Sequence, residues 1–248
     1  MCTVVYMPRD NNVFFASLRD ENPMRAKATE PIIEDTETIK FIAPRDSLAG
    51  GTWVGINEYN NVIILLNGGF ENHTRKNNYR KSRGLIVLEL LQTELPVIDW
   101  NLMDMTDIEP YTLIVWSDHN LFQLVWDGHQ KHKNLLDATI PHIFSSATLY
   151  NNTIKEYRKQ LFDNWVLTKP NISQINLLNF FKTFTDSNDG FIMNRSNTLS
   201  TLSYSFLEIQ KNEKAIFNYH DFQTFQNTYS TLNIQKTFAS LTDNNPSV

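Results

Sequence analysis

The chain has one cysteine among its 248 residues. It therefore cannot form an intramolecular disulfide or a cysteine-rich zinc site, and this scarcity fits a reducing compartment. No apolar segment approaches the roughly 18 residues that span a membrane. The apolar segment at residues 1–7 is too short for the core of a signal peptide. We therefore expect a cytoplasmic protein without a membrane span.

Signals for several other classes are also missing. The net charge of −5 gives no reason to expect a nucleic-acid partner. The six histidines form no metal-binding pattern, and the eight glycines form no nucleotide-binding fingerprint. We therefore expect neither a metal nor a cofactor. An apolar content of 41% is typical of a globular protein.

Short apolar segments separated by turn residues predict a protein rich in β-strands. The run at residues 62–66 is almost continuously apolar, which suits a sheet that is covered on both faces. Residues 19–46 are polar and predict a loop with one short strand. The predicted strands are residues 3–7, 13–18, 39–43, 50–57, 62–66, 111–116, 121–126, 140–149, 202–206 and 215–219.

Three segments have the spacing of helices. They are residues 82–92, residues 152–165, and a segment capped by Ser173 that carries apolar residues as far as Phe184. In the second helix the apolar face consists of Ile154, Tyr157, Leu161 and Trp165, and Arg158 is predicted to lie off that face. Strand pairs at both ends with helices between them predict a single α+β domain over residues 1–248. Two packed sheets would have helices outside, and the last dozen residues would be frayed.

Cys2, the single cysteine, directly follows Met1. Its small side chain favours removal of Met1, which would leave a thiol and a free α-amino group on one residue. Their reference pKa values are about 8.5 and about 7.7–8.0, close to working pH. The amine can take the thiol proton while the thiolate attacks a carbonyl. The alternative is that Cys2 is a small apolar residue in a buried first strand.

Charged residues follow the second predicted strand. If the first two strands pair through the tight turn between them, Arg19 and Asp20 return close to Cys2. A cation there would lower the pKa of the thiol, and a carboxylate could hold the α-ammonium group or a substrate amine. The alternative is a solvated charged turn.

Three further segments are candidates for binding groups. The glycines before Trp53 allow a close backbone approach and could present N–H groups to an oxyanion, or they form only a turn. Asn67 ends the apolar strand and is either an oxyanion donor or a turn residue. Arg83 lies in a basic helix entry that could bind a carboxylate or phosphate, or be merely solvated. Of the histidines, only His73 near Asn67 is a candidate, and residues 129–132 are predicted to be a surface turn.

Taken in order, these segments resemble the NRDE family, also called the transport and Golgi organisation family. The match covers the first third of the chain in the family's order and spacing, with weaker matches at residues 145–150 and 193–195. The matching segments are Met1-Cys2-Thr3, Arg19-Asp20-Glu21, Gly50-Gly51-Thr52-Trp53, Leu66-Asn67-Gly68 and Ser82-Arg83-Gly84.

The resemblance implies a four-layer αββα sandwich of two antiparallel sheets, the fold of the N-terminal nucleophile hydrolases. Among these hydrolases, the family is similar to the cholylglycine hydrolase and penicillin V acylase group, in which the N-terminal cysteine is the nucleophile. By motif, the implied catalytic residues are Cys2, Arg19, Asp20, Asn67 and, as a weaker match, Arg195. The implied substrate-binding residues are Trp53, Arg83 and Ser146.

Two positions depart from the pattern. Leu18 stands where the family motif begins with asparagine, and Ser146 stands where the related hydrolases often carry asparagine. We expect a hydrolase that cleaves a non-peptide C–N amide bond of a small acylated substrate. The alternative is a non-catalytic carrier or trafficking protein of the same fold, whose ligand is apolar, such as haem or an acyl chain. The expected partner is accordingly a small-molecule acyl amide or an apolar ligand.

Overall fold

The computed structural model describes residues 3–10, 12–196, 198–210 and 213–235. Cys2, the predicted nucleophile, and the last dozen residues lie outside these ranges. The strands are β1 (Thr3–Arg9), β2 (Asn12–Glu21), β3 (Ile32–Asp35), β4 (Lys40–Ala43), β5 (Val54–Asn57), β6 (Val62–Asn67), β7 (Tyr111–Ser117), β8 (Asn120–Trp126), β9 (Lys131–Leu136), β10 (His142–Ser145), β11 (Asn194–Arg195), β12 (Leu199–Gln210), β13 (Lys214–Asp221) and β14 (Asn227–Asn233). The helices are α1 (Arg83–Leu91), α2 (Pro96–Leu102), α3 (Asn152–Leu167) and α4 (Gln174–Phe181).

The strands form two antiparallel sheets. The first has the order β10-β1-β2-β12-β13-β14, with β11 paired to the start of β12. The second runs in chain order from β3 to β9. The first sheet therefore places β1 in its interior, between the hairpin partner β2 and the distant strand β10.

Strand alternation divides the side chains of the first sheet between two cores. Val4 and Tyr6 belong to the core between the sheets, whereas Val5 and Met7 belong to the core beneath α3 and α4. On the other side of the molecule, α1 packs on β5 and β6 of the second sheet. The predicted four-layer αββα sandwich is confirmed.

Most predicted elements are present, but several boundaries differ. The strand predicted from residue 50 begins only at Val54, because Gly50 has a φ of +70° and residues 46–51 form a turn instead. The strand predicted for residues 140–149 is limited to His142–Ser145. The predicted surface turn at residues 129–132 ends at Gln130, since Lys131–Leu136 pairs with β8 as an edge strand.

The face predicted for α3 is correct only in part: Ile154, Leu161 and Trp165 are half-buried and pack against the buried clusters. The buried residues of this helix are Arg158 and Phe162, whereas Tyr157 is exposed. Arg158 lies inward because aromatic side chains and a threonine hydroxyl surround its guanidinium group. A prediction from hydrophobic spacing assigns arginine to the exposed face of a helix, and the inward position of Arg158 was therefore missed.

Candidate active site

The register of β1 brings the sequence motifs to one end of the first sheet. Thr3, the first described residue, pairs with Leu18 of β2 on one side and with Ser145 of β10 on the other. In antiparallel strands, the next residues of both neighbours lie at this same end. Arg19 therefore lies on one side of the start of β1 and Ser146 on the other.

Arg19 is buried and held by an ion-pair network. Its Nη2 donates to Asp46 at 2.8 Å, and its guanidinium carbon lies 4.1 Å from the centroid of the Trp53 ring. Asp46 also accepts from Arg25 Nε at 2.7 Å. The loops that carry Arg25 and Asp46 are thus tied to the end of β2.

Electrostatics in this network follow from burial and pairing. Burial lowers the pKa of Arg19, although Glu21 and Asp46 act in the opposite direction. Burial by itself would raise the pKa of Asp46, but hydrogen bonds from Arg25 and from the N–H of Ala49 lower it on balance. Asp46 is therefore a carboxylate at neutral pH and offsets part of the positive charge of the two arginines.

A cleft of about 110 Å³ opens beside this network. Four of the predicted site residues, Arg19, Trp53, Asn67 and Arg83, line it. Among the residues that the structure describes, none forms a hydrogen bond with the side-chain amide of Asn67. That amide is consequently available as a donor to a bound group.

Close backbone packing forms one wall of the cleft. A Cβ atom added to Gly51 would lie 2.4 Å from the carbonyl carbon of Gly84, and the N–H of Thr52 donates to the oxygen of Gly84. The glycines of the two matching segments therefore allow the loop before β5 to approach the start of α1. This contact is the physical reason for glycine at both positions.

Asp20 and Arg195 lie on another side of the same end. Thr201 of β12 donates to Asp20 Oδ1 at 2.5 Å and accepts from the N–H of Met193. Arg195 follows two residues after Met193, and its side chain binds the main-chain oxygens of Asn188 and Leu149 and pairs with Asp189 at 3.5 Å. Neither Asp20 nor Arg195 lines the cleft, and the catalytic roles of all the predicted site residues stay predictions.

Of the two remaining predicted residues, Arg83 lines the cleft and Ser146 does not. Ser146 is fully buried and donates to the main-chain oxygen of Asn67 at 2.8 Å, so it supports the strand end that carries the amide. Arg83 pairs with Glu109 at 3.2 Å, and burial lowers its pKa while Glu109 opposes that shift. His73 contacts the same Glu109 at 3.3 Å and is not among the residues lining the cleft.

Arg158 is the site residue that sequence reasoning missed. Its Nη2 donates to Thr3 Oγ1 at 2.6 Å, so α3 is joined to the first described residue of β1. No motif marks this arginine. The only signal in the sequence was its helical spacing from Phe162, four residues later on the same face.

Comparison with protein-family descriptions matches residues 1–240 to Transport and Golgi organisation 2. The chain belongs to this family. The match extends over both sheets and all four helices, well beyond the first third of the chain in which the motifs are concentrated. A comparison with curated protein sequences finds no match.

Solved structures share the fold. An N-acylethanolamine-hydrolyzing acid amidase ortholog from Caenorhabditis elegans has a TM-score of 0.57 at 11% identity, covering 83% of this chain and 92% of its own. A mutant conjugated bile acid hydrolase from Clostridium perfringens has a TM-score of 0.55 at 9% identity, covering 97% and 94%. An arginine-to-leucine variant of that hydrolase has a TM-score of 0.55 at 9% identity, covering 95% and 97%. These similarities establish an N-terminal nucleophile hydrolase-like fold.

Neither a metal site nor a membrane-spanning helix is found in the described ranges. In the described ranges, no three histidine, cysteine, aspartate or glutamate residues are grouped closely enough to hold a metal ion. None of the helices in those ranges is both long and apolar enough to cross a bilayer.

Proposed function

We propose that this protein is an N-terminal cysteine hydrolase that cleaves a non-peptide C–N amide bond of a small acylated substrate. Cys2 is the nucleophile after removal of Met1. The observation that carries the proposal is the register of Thr3, whose strand partners Leu18 and Ser145 are followed directly by Arg19 and Ser146. A peptide bond keeps the Cα of residue 2 about 3.8 Å from that of Thr3.

The reaction needs only this chain and water. Cys2 Sγ attacks the amide carbonyl carbon as its own α-amine takes the thiol proton, and a C–S bond forms. The tetrahedral oxyanion accepts hydrogen bonds from the amide of Asn67 and from a backbone N–H. Collapse of this intermediate breaks the C–N bond, and the ammonium group returns its proton to the leaving amine. Water then hydrolyses the thioester to a carboxylic acid and the free thiol.

Charge in the cleft supports a substrate with an anionic group. Among the described residues that line it, the cationic side chains are Arg19, Arg25 and Arg83, and the carboxylates are Glu21 and Asp46. The lining itself therefore carries a net positive charge of one, although Arg83 is also paired with Glu109 outside the lining. A carboxylate on the amine portion of the substrate, as in an N-acyl amino acid, would balance it.

A screen of amide substrates tests the proposal. N-acyl amino acids, uncharged acyl amides and bile-salt-like conjugates are incubated with the wild-type protein and with Cys2→Ala. We expect hydrolysis of at least one N-acyl amino acid and its loss in Cys2→Ala, with substrate binding nearly retained, because the thiol acts mainly in the transition state. Turnover that is equal in the two proteins would contradict the proposal. So would a wild-type chain that retains Met1 entirely.

A carrier function is the second candidate, and a different cavity favours it. This cavity of about 530 Å³ lies at the opposite end of β1 and is lined in part by Tyr6, Trp116 and Ile209. Its size is within the range of small-molecule sites. Titration with fatty acyl ligands and haem, followed by absorbance and calorimetry, separates the two functions. Micromolar binding without turnover, unchanged in Cys2→Ala, would favour the carrier.

A further inference from the structure

Arg158 occupies an unusual environment for a charged side chain. It is 0% exposed and belongs to α3, beneath the first sheet. Its guanidinium carbon lies 4.0 Å from the ring centroid of Tyr150 and 4.6 Å from that of Phe191. The bond from Nη2 to Thr3 Oγ1, at 2.6 Å, is its one polar contact with another described residue.

The charge of Arg158 is not compensated by a carboxylate. Within the described ranges, no acidic side chain lies at ion-pair distance from it, and its Nε and Nη1 atoms have no hydrogen-bond partner. A buried charge without a partner is costly, and an apolar side chain of similar size often replaces one with a gain in stability. Packing by itself therefore does not account for an arginine at this position.

We propose that Arg158 is a positioning residue of the N-terminal site, which clamps the start of β1 to α3 and places a buried positive charge against Thr3, the residue that follows Cys2 in the chain. This inference rests on the proposed function. A cation near a thiol favours the thiolate over the thiol. It also disfavours the charged form of the α-ammonium group, so more of the amine is free to act as a base.

The other charged groups at this end do not supply the same field. Arg19 on β2 is paired with Asp46 at 2.8 Å, and Arg195 on β11 is paired with Asp189 at 3.5 Å. Asp20 on β2 carries the opposite charge and accepts from Thr201. Of these arginines, Arg158 contacts the start of β1 directly and has no carboxylate partner among the described residues.

The experiment uses the fact that Cys2 is the only cysteine, so all thiol alkylation of the native protein reports on it. Intact mass first establishes whether Met1 is removed. Iodoacetamide rates are then measured against pH for wild type, Arg158→Met, Arg158→Gln, Arg158→Lys and Thr3→Val, with thermal unfolding as the check on folding. We expect Arg158→Met to raise the apparent pKa of the thiol by about one unit or more.

The remaining variants separate charge from packing. Arg158→Lys keeps the charge and should retain most of the wild-type value, and Thr3→Val removes the hydrogen bond but leaves the cation in place. Arg158→Gln is neutral and polar, and it replaces Arg158→Met if that variant does not fold. A folded neutral variant with an unchanged pKa of the thiol overturns the proposal.

Failure of the proposed function gives a different result. If no amide is hydrolysed but the pKa of the thiol still depends on Arg158, the hydrolase proposal fails and the positioning role stands. If hydrolysis requires Cys2 but the neutral variants of Arg158 leave both rate and pKa unchanged, only the positioning role fails.

Discussion

Arg19 and Arg158 are two buried arginines near the start of β1, and they are held in different ways. Each is at most 5% exposed, and each lies about 4 Å from the centroid of an aromatic ring, 4.1 Å for Arg19 over Trp53 and 4.0 Å for Arg158 over Tyr150. Arg19 shares the carboxylate of Asp46 with Arg25. Arg158 contacts only the hydroxyl of Thr3 among described polar groups.

The difference indicates two kinds of contribution. A compensated arginine fixes geometry, because it ties the loops around the cleft to the end of β2 while its charge is partly cancelled. An uncompensated arginine adds an electric field at the cost of stability. Mutations around Arg19 should therefore mainly lower the stability of the protein. Mutations of Arg158 on α3 should mainly change the reactivity of the thiol.

Asp46→Asn should produce the largest loss of stability. It removes the negative charge and one of the two acceptor oxygens that two arginines share, so the buried Arg19 loses its ion pair and we expect a cost of about 3–5 kcal/mol in the free energy of unfolding. Urea denaturation measures it. Asp163→Asn is the control, because its partner Lys159 is half exposed and such helix pairs contribute about 0.3–0.5 kcal/mol. Equal costs in the two variants would contradict a structural role for the Asp46 network.

Arg19→Met should be less stable than Arg158→Met, by less than the loss expected for Asp46→Asn. The first leaves Asp46 with one arginine and should cost about 2 kcal/mol, since a buried charged hydrogen bond is lost. The second removes an uncompensated buried charge, which offsets the loss of one hydrogen bond, so it should leave the free energy of unfolding nearly unchanged or raise it. Urea denaturation of both variants under identical conditions checks the order. A larger cost for Arg158→Met would show that its charge is compensated after all.

Thr3→Val should have a modest effect. The change removes the hydroxyl that Arg158 binds but keeps the β-branched shape that suits a strand, so we expect a loss of about 1 kcal/mol. In a double-mutant cycle with Arg158→Met, the two effects should not add, because both changes remove the same hydrogen bond. Additive effects would mean that this bond does not contribute to stability.

The smallest expected effect is a pH dependence in the Asp46 network. The pKa of Asp46 is below its usual value of 3.8 in the folded chain. Its contribution is therefore complete above about pH 5 and is lost as the pH falls through the lower, folded value. The difference in melting temperature between wild type and Asp46→Asn should shrink from about pH 5 to about pH 2. A difference that stays constant over this range would show that Asp46 does not titrate with folding.

The sequence predicted most of the strands and helices that have a strong apolar pattern, although the short elements β3 and α2 were missed. The run at residues 62–66 and the pair at residues 111–126 became the centre of the second sheet. The edge strands Lys131–Leu136 and Asn227–Asn233 were missed, because their side chains are polar and mostly exposed. Their strand character comes from pairing with a neighbour, which local composition does not reveal.

The candidate site was predicted in part for a related reason. Short motifs located Arg19, Asn67 and the glycines near Trp53, which the structure brings to one cleft. Arg158 belongs to no motif, and its helix also carries charged residues that are exposed. Its inward position depends on contacts with Tyr150 and Thr3, and neither of these residues belongs to the helix. Tertiary contacts, rather than the local sequence pattern, determine whether such a residue is buried.

Trapping of an acyl-enzyme tests the central claim most directly. Wild type and Cys2→Ala are mixed with an N-acyl amino acid, quenched rapidly in acid and analysed by intact-mass spectrometry. The account predicts a wild-type chain that lacks Met1 and carries one acyl group as a thioester, and a Cys2→Ala chain that carries none. Hydrolysis that proceeds at the same rate in Cys2→Ala, with no acyl group on the wild-type chain, would contradict it.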